Sequence, residues 1–282
     1  MKNKIIENKY DFIGNFHNGF ATVKIGEKWG VINEEFKKSK IIYDYVGDSH
    51  NRIITVRFGN KYGFINHKLE ESKIIYDYAG NFHNGFARVK LNDKWGFINK
   101  QFKEIKIEYD EVDNFFNGFS KIKFDGKYGF IDKELRETEI IYDYAWFFKN
   151  NFARIKKGCE WGFLNNNFEE VSQEDVLSNL CYKEDKKFYW FKKILLKNLK
   201  SPTQFFQYKL RKEYKFNLDK YIEHDYAPGF NLATESWIKD NFNPHTEKIY
   251  LVKVPKKNNT IIIPFDMQKI RCERAILTNE NL

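Results

Sequence analysis

Along Phe20-Ala21-Thr22-Val23-Lys24-Ile25, apolar Ala21, Val23 and Ile25 alternate with polar Thr22 and Lys24. That is the period of a strand with one buried face. Two residues, Gly26-Glu27, separate this run from Lys28-Trp29-Gly30-Val31-Ile32-Asn33. The pairs at the same place further along are Gly59-Asn60, Asn92-Asp93, Asp125-Gly126 and Gly158-Cys159. Most are residues that accept positive φ, as a two-residue hairpin of primed type requires. The pattern predicts a hairpin of 20–25 with 28–33, a turn opened by Asn33, a polar connector, and a third strand over Ile41-Ile42-Tyr43-Asp44-Tyr45.

This stretch recurs at a step of 33 residues: Trp29-Gly30 returns as Tyr62-Gly63, Trp95-Gly96, Tyr128-Gly129 and Trp161-Gly162. Tyr10-Asp11, Tyr43-Asp44, Tyr76-Asp77, Tyr109-Asp110 and Tyr142-Asp143 keep the same step. A fixed period of this size marks a stacked array in which each unit buries its apolar face on the next. The expected fold is mainly β: an open array of five 33-residue, three-stranded repeats over 1–170, followed by a small α+β domain. The units run over about 10–42, 43–75, 76–108, 109–141 and 142–171. Propeller blades use four strands and about 40–45 residues, so the shorter unit favours an open array over a closed ring. The aromatic of each Trp-Gly pair is expected to supply a large buried surface, and its Gly to allow close approach of a neighbouring strand or ring.

The period stops near residue 171. Ser172-Gln173-Glu174-Asp175 reads as a helix start, with Ser172 as N-cap and Asp175 at the third helical position. It predicts a linker helix within 172–183, and 184–282 then reads as the α+β module. A short helix ends near Phe242, and strands are expected at about 248–254, 260–264 and 270–277, with Pro244, Pro255 and Pro264 between elements.

The formal charge is +9, nearly all from Lys in a chain rich in Asn, Ile, Tyr and Phe, a mixture that A/T-biased coding also produces. Residues 171–282 hold 20 Lys/Arg against 14 Asp/Glu, a balance of +6, and the repeats hold the remaining +3. Aromatics at 18% suit β-structure. The start has no apolar core of signal-peptide length and no run is long enough to span a bilayer, so a cytoplasmic protein is expected. Cys159, Cys181 and Cys272 lack metal-ligand or redox spacing.

Reading the polar positions of the first strand down the repeats gives Thr22 and Lys24, Thr55 and Arg57, Arg88 and Lys90, Lys121 and Lys123, Arg154 and Lys156. Eight of the ten are basic, and the fixed step aligns them in a stripe suited to an acidic protein surface or a phosphate backbone. The same residues equally serve to solvate an exposed face and discourage edge pairing. In 183–216, eleven Lys/Arg stand against three acids, among Phe188, Tyr189, Trp190, Phe191, Phe205, Phe206, Tyr208 and Tyr214. Lys186, Lys187, Lys192, Lys193, Arg211 and Lys212 are the nucleic-acid candidates there, by stacking plus phosphate neutralisation. Two strands with one aromatic and one basic face have the same composition. His17, His50 and His83 share a repeat position, but Phe116 and Lys149 replace them in the last two units, which favours surface histidine over metal. The Tyr-Asp column recurs in every unit and so reads as a repeated turn contact. The glycine-rich phosphate loop, the dinucleotide fingerprint, the zincin motif and the nucleophile elbow are all missing, and no cofactor is expected.

Lys94-Trp95-Gly96-Phe97-Ile98-Asn99 and Asn84-Gly85-Phe86-Ala87 resemble the WG (KWG) family of bacterial β-repeat proteins, over about 60% of the chain. The resemblance implies a repeat scaffold without a known active site. Tyr replaces Trp in two units, and Asn51-Arg52-Ile53 stands in the second where others have Asn-Gly-Phe. Gly229, Leu232-Ala233-Thr234, Tyr250, Val252, Val254-Pro255, Ile263-Pro264 and Lys269-Ile270-Arg271-Cys272 resemble an uncharacterised module of phage rapid-lysis B-type and viral pentapeptide-repeat proteins, which implies a viral or host-defence setting. The Gly-Phe-x-Leu-Ala stretch before a helix is also similar to one in ADP-ribosyltransferases, with Glu273 in the place of a late catalytic glutamate. The expected function is a non-enzymatic scaffold for a protein partner, with nucleic-acid binding as the alternative and an ADP-ribosyltransferase-like enzyme as a remote one.

Overall fold

The computed structural model describes residues 10–196, 209–215, 230–257, 259–263, 267 and 269–281. Two compact units divide the chain, Met1–Phe147 and Phe148–Leu282.

In the first unit every predicted hairpin forms in the predicted register, from Phe20↔Asn33 to Ile25↔Lys28 and at the equivalent places. The two-residue turns take positive φ where their residues allow it, as at Asn92 (50°), Asp93 (65°), Asp125 (47°) and Gly126 (75°). A second tight turn, Asn-Gly, leads into each first strand: Asn84 (49°) and Gly85 (97°) join a His83↔Phe86 bridge. In the second repeat Arg52 takes the glycine's conformation at 63°.

The third strand lies elsewhere than expected. Phe12–Ile13, Tyr45–His50, Tyr78–Ala79 and Glu111–Val112 run antiparallel to the hairpin's first strand, so pairing begins after the Tyr-Asp pair. The segment 41–45 is where the chain changes sheets: Tyr43 bridges Trp29 of the hairpin behind it, and Tyr45 pairs with Arg57 of the hairpin ahead.

Between hairpin and Tyr-Asp pair, the connector runs back along the second strand with residues to spare. Ile32 bridges Lys38 and Trp29 bridges Tyr43, so three steps on the strand face five on the connector. The surplus arches over the glycine of the Trp-Gly pair. A Cβ on Gly30 would sit 2.9 Å from the Lys40 carbonyl oxygen, and one on Gly63 would sit 2.8 Å from that of Lys73. On Gly96 it would sit 2.4 Å from the Lys106 oxygen and 2.6 Å from Ile107 Cα. The arch also takes the connector out of ladder register, and a hydroxyl fills the gap. Ser39 Oγ accepts from the Val31 N–H at 2.9 Å and donates to the Lys40 carbonyl at 2.7 Å, with Ser72 and Thr138 doing the same in their repeats. The third repeat has Ile105 there instead; its connector draws closer and becomes a fourth strand, Glu104–Tyr109.

Repeats cohere through apolar and polar contacts that keep the same step. Val31, Phe64, Phe97 and Phe130 are at most 1% exposed. The Phe64 ring meets Phe82 and Phe102 of the next repeat at 5.2 and 6.3 Å, and Phe97 meets Phe115 at 5.0 Å. Buried Tyr43, Tyr76 and Tyr109, each paired with the hairpin behind, donate to Glu71, Glu104 and Glu137 beside the hairpin ahead at 2.6–2.8 Å. Burial first, and then those carboxylates, hold the phenols protonated well above their ordinary range. Asn18, Asn51 and Asn84 donate to the backbone carbonyls of Ser49, Phe82 and Phe115 in the following repeat. Each Tyr-Asp carboxylate faces two ways. Asp44 accepts from Lys28 of the repeat behind at 2.5 Å and from the Gly59 N–H of its own hairpin turn at 2.7 Å. Asp77 and Asp110 repeat the arrangement with Lys61 and Asn92, and with Lys94 and Asp125. The column is thus the repeated turn contact expected of it.

The second unit corrects the domain boundary drawn at 171/172, because the fifth hairpin, Phe152–Lys157 with Glu160–Asn165, packs with the C-terminal segments. Phe152 and Phe163 share one core with Val176, Leu177, Phe191, Leu195, Val252, Ile270 and Leu277. The helix Gln173–Leu180 has the predicted cap: Ser172 Oγ accepts from the Asp175 N–H at 3.1 Å, and the Asp175 carboxylate accepts from the Ser172 N–H at 3.1 Å. It is no linker, since its buried face belongs to that core. An antiparallel sheet follows in the order Glu213–Lys215, Arg274–Asn281, Glu247–Pro255, Phe188–Leu196, Phe230–Ala233, Lys269–Cys272 and Ile261–Ile262. The strand expected over 270–277 is two, broken at Glu273, and Phe230–Ala233 is a strand that the sequence pattern did not reveal. Thr234 caps the second helix, Glu235–Asn241. Gly229 and Pro264 of the phage-like pattern lie outside the described residues.

Gly96→Ala forces a methyl into backbone that no rotamer change relieves, and should cost about 3 kcal/mol. Gly162 tests the cause: only the Ile155 side chain lies nearby, at 3.6 Å, because the fifth connector, after pairing with the second strand at Glu170–Val171, enters the helix Gln173–Leu180 where the others arch. Gly162→Ala should leave stability within about 0.5 kcal/mol of the parent in denaturant melts. Equal losses in both variants would mean the arch is not the constraint.

Acid should loosen the array through the Tyr-Asp column. Hydrogen bonds from Lys28, Lys61 and Lys94, and then from the turn amides, hold the carboxyls of Asp44, Asp77 and Asp110 below their ordinary range. Their contribution is complete above the unfolded carboxylate pKa, about 4, and fades as pH falls through the lower folded values. A triple Asp→Asn variant should therefore show a flatter melting temperature between pH 5 and pH 2, on the order of those pKa values, than the parent. An unchanged slope would remove these carboxylates from the account.

Candidate interaction surface on the repeats

The strand registers assemble one composite feature in each repeat. Across three neighbouring strands the pairings run Phe12↔Lys24↔Trp29, Tyr45↔Arg57↔Tyr62, Tyr78↔Lys90↔Trp95 and Glu111↔Lys123↔Tyr128. Each row places a cation between two side chains that are aromatic in three of the four. The rings touch: Phe12 and Trp29 meet edge to face at 5.7 Å, and Tyr78 and Trp95 at 5.3 Å. Lys24 lies 5.4 Å over Trp29, Arg88 lies 5.5 and 5.4 Å over Tyr78 and Trp95, and Lys121 and Lys123 lie 5.4 and 5.1 Å over Tyr128. A cation held over a ring face is attracted by the ring quadrupole, and more so when partly shielded from water.

These contacts correct two expectations. The basic side chains of the first strand do not project freely outward: Lys24, Arg88, Lys121, Lys123 and Lys156 lie on rings, Arg57 donates to the Gly59 carbonyl and Lys90 pairs with Asp93, and all seven are half-buried. Lys24, Lys90 and Lys121 also pair with Glu27, Asp93 and Asp113. Nor is the aromatic of the Trp-Gly pair a core residue. Trp29, Tyr62, Trp95 and Tyr128 are half-buried and Trp161 is 39% exposed, while the core is carried by the two residues after the glycine, Phe97 and Ile98 in the third repeat. Arg154 of the fifth repeat has turned inward: it is 7% exposed, donates to the Ile263 carbonyl at 2.6 Å, and burial lowers its pKa to about 10. Lys156 stays over Trp161 at 5.6 Å.

Exposed apolar groups continue the rows. Phe12, Tyr45 and Tyr78 are 48%, 49% and 39% exposed, and the hairpin-tip residues Ile25, Phe58 and Phe124 are exposed as well. Lys28 and Lys94 reach over Phe58 and Phe124 of the next hairpin at 5.6 and 5.4 Å. The signal for this band was an aromatic two residues after each Tyr of the Tyr-Asp pair in four of five units, which the sequence reading passed over.

The 183–216 candidates do not converge on one face. Lys186 and Lys187 are exposed in the turn before Phe188–Leu196. Lys192 pairs with Glu235 at 2.5 Å and lies over Tyr182, whereas Lys193 is buried, donates to the Asn231 carbonyl at 2.8 Å, and has its pKa lowered by burial to about 8. Arg211 and Lys212 are exposed before Glu213–Lys215. Phe205, Phe206 and Tyr208 lie outside the described residues. His17, His50 and His83 are exposed, and among the described residues no three His, Cys, Asp or Glu side chains gather as metal ligands would. Glu273 sits at the break between the last two strands, where its carboxylate accepts from the Thr260 hydroxyl at 3.1 Å. Cys159 is exposed, Cys181 half-buried and Cys272 buried, all as free thiols.

Comparison with known proteins matches the WG containing repeat family at residues 1–29, 62–95, 95–128 and 128–158. No curated protein matches the chain. Among solved structures, it is similar to Kluyveromyces lactis Hsv2p at 10% identity and a TM-score of 0.31, covering 57% of this chain and 62% of that one. Apo AztD from Citrobacter koseri matches at 12% identity and 0.32, covering 56% and 57%. The Neurospora crassa Pan2 WD40 domain matches at 10% identity and 0.28, covering 56% and 62%. The chain therefore spans less than two thirds of each of these structures. With the Lys-aromatic-Gly strand, its arching connector and its Asn-Gly turn recurring at one step, and four segments matched, residues 1–158 of this chain carry repeats of the WG family.

Proposed function

We propose that this protein is a non-enzymatic scaffold that binds a protein partner along its aromatic–basic rows. The observation that carries the reading is the recurrence of one cation between two neighbouring strands' side chains in consecutive repeats, at positions the repeat core does not use. Exposed rings rimmed by Lys and Arg fit an extended segment with acidic and apolar side chains, since rings supply contact area at low entropic cost and cations select the charge. Rings beside cations are also the elements of a single-strand stacking platform, which keeps nucleic acid as the second reading.

Two substitutions and one salt series separate these readings. Trp95→Ala should cost about 1–2 kcal/mol of stability, below the ~3–5 of a fully buried aromatic, because half of that burial is missing. Combined with Arg57→Ala and Arg88→Ala, it should leave a folded protein that no longer retains the partner which the parent captures and cross-links along these rows. Tight binding of labelled single-stranded DNA, with log K falling by about 0.7 per phosphate neutralised as salt rises, would favour nucleic acid instead. Capture unaffected by the triple substitution would remove the rows from the function.

A further inference from the structure

One junction between repeats departs from its neighbours. Where Phe20 and Phe86 pack on the repeat that follows them, the second repeat has Ile53, which shares a core with Phe64, Phe82 and Val89. Just before it, Arg52 holds a left-handed φ of 63°, at the position of Gly19, Gly85 and Gly118. An L-residue keeps that conformation only where its surroundings compensate for the strain. Part of the compensation lies behind it, since the Arg52 guanidinium donates to Glu34 of the first repeat at 2.8 Å. Asn33 closes that same first junction by donating to the His67 carbonyl at 3.2 Å. One step on, Asn66 turns to Glu70 of its own turn at 2.6 Å.

With a ring replaced by an isoleucine and that link turned aside, a groove of about 400 Å³ opens between the second and third repeats. The volume is in the range of small-molecule sites. Buried Ile53 and half-buried Phe102 give it apolar walls, and Asn51, His67, Lys68 and Lys100 line it as well. Its charge separates it from the neighbouring junctions. The corresponding turn of the first repeat carries Glu34-Glu35, with Glu35 paired to Lys37, and that of the fourth carries Lys133 paired to Glu134. Here the turns carry His67-Lys68 and Lys100-Gln101, and among the described residues neither Lys68 nor Lys100 has a carboxylate partner. Glu70, the one acid in the lining, already accepts from Asn66. The groove lies at the opposite end of the hairpin from the aromatic–basic rows, because Ile53 pairs with Asn66 whereas Arg57 pairs with Tyr62 beside the tip.

We infer that this groove is a binding site for a small organic phosphate monoester. The planar apolar body lies against Ile53 and Phe102, and the phosphate sits between Lys68 and Lys100. Two unpaired cations match a dianion, and the body buries apolar surface that a Phe at position 53 would cover.

Phenyl phosphate and adenosine 5′-monophosphate are the probes, titrated into the full-length protein at about pH 7.5, where a phosphate monoester is largely a dianion. Inorganic phosphate and phenol are the controls for the charge and the apolar body alone. Binding is read by calorimetry and by NMR shifts of the His67 ring and of the backbone amides lining the groove. The expected result is that at least one probe binds with a Kd below about 0.3 mM, that each control binds at least ~10-fold more weakly, and that the shifts centre on the groove. Ile53→Phe restores the ring that the other four repeats carry, and should keep the parent's melting temperature while weakening the probe at least ~10-fold. Lys68→Ala combined with Lys100→Ala, both at exposed positions, should weaken it at least ~10-fold from the charged side. If Ile53→Phe melts lower than the parent, the lysine pair alone decides. Binding by neither probe overturns the inference, as does probe binding that the lysine pair leaves unchanged. Inorganic phosphate as tight as the probes, with shifts spread over lysines elsewhere, reduces the groove to a solvated basic surface and overturns it too. A phosphotyrosyl peptide that binds more tightly than phenyl phosphate gives the groove to a modified partner chain, against a small molecule.

Discussion

Two backbones pass each other at the glycine of every Trp-Gly pair in the first unit, and the geometry of the repeat follows from that passage. Three steps of strand facing five of connector leave a surplus that must go somewhere, and it arches over the one residue with no Cβ. The arch takes the connector out of the ladder, which is why Ser39, Ser72 and Thr138 lend hydroxyls to otherwise unpaired amides. It also sets where the Tyr of the Tyr-Asp pair re-enters the sheet, opposite the aromatic before the glycine. From there the chain can only go forward to the next hairpin. Where the arch is absent, at Gly162, the chain leaves the repeat pattern altogether.

Cohesion between repeats divides between apolar bulk and polar register. The stacked Phe64, Phe82 and Phe102 rings bury area but tolerate sliding, because dispersion has little direction. The Tyr–Glu, Asn–carbonyl and Lys–Asp contacts do not tolerate it. Each links a residue to one a fixed number of positions further on, and together they specify a single offset between neighbours. Exposed ion pairs of this kind add little stability individually; their effect is to make any other stacking offset leave donors and acceptors unmet.

The band available for binding is made of what this scheme leaves over. Val31, Phe64 and Phe97 fill the core, which frees the aromatic two residues earlier to lie at the sheet's margin under a cation. The ring–cation contacts hold long side chains flat, so the rows are ordered before any partner arrives, and an ordered surface loses less entropy on binding. In the second unit the same column is put to a different use: Arg154 turns inward to the Ile263 carbonyl, and the fifth hairpin joins the C-terminal core.

The period, the hairpins, their registers and the cap at Ser172 were legible in the sequence because each depends on residues adjacent along the chain: strand alternation, φ-tolerant pairs and a Ser with an Asp three residues on. The requirement for glycine after the aromatic was legible too, although its cause is the connector of the same repeat and not a stacked neighbour. Strand placement around Tyr43, the inward turn of Arg154, the separation of Lys192 from Lys193 and the merging of the fifth repeat with the C-terminal sheet were not. Those depend on which distant segment packs against a given face. Alternation identifies a strand's two faces but does not say whether water, a ring or another sheet covers either one. The Lys and Arg stripe shows the difference most plainly: sequence alone determined that the cations recur in one column, and only the tertiary structure decided that six of the eight lie on aromatic rings, because the rings reach them across strand pairs that long-range packing aligns.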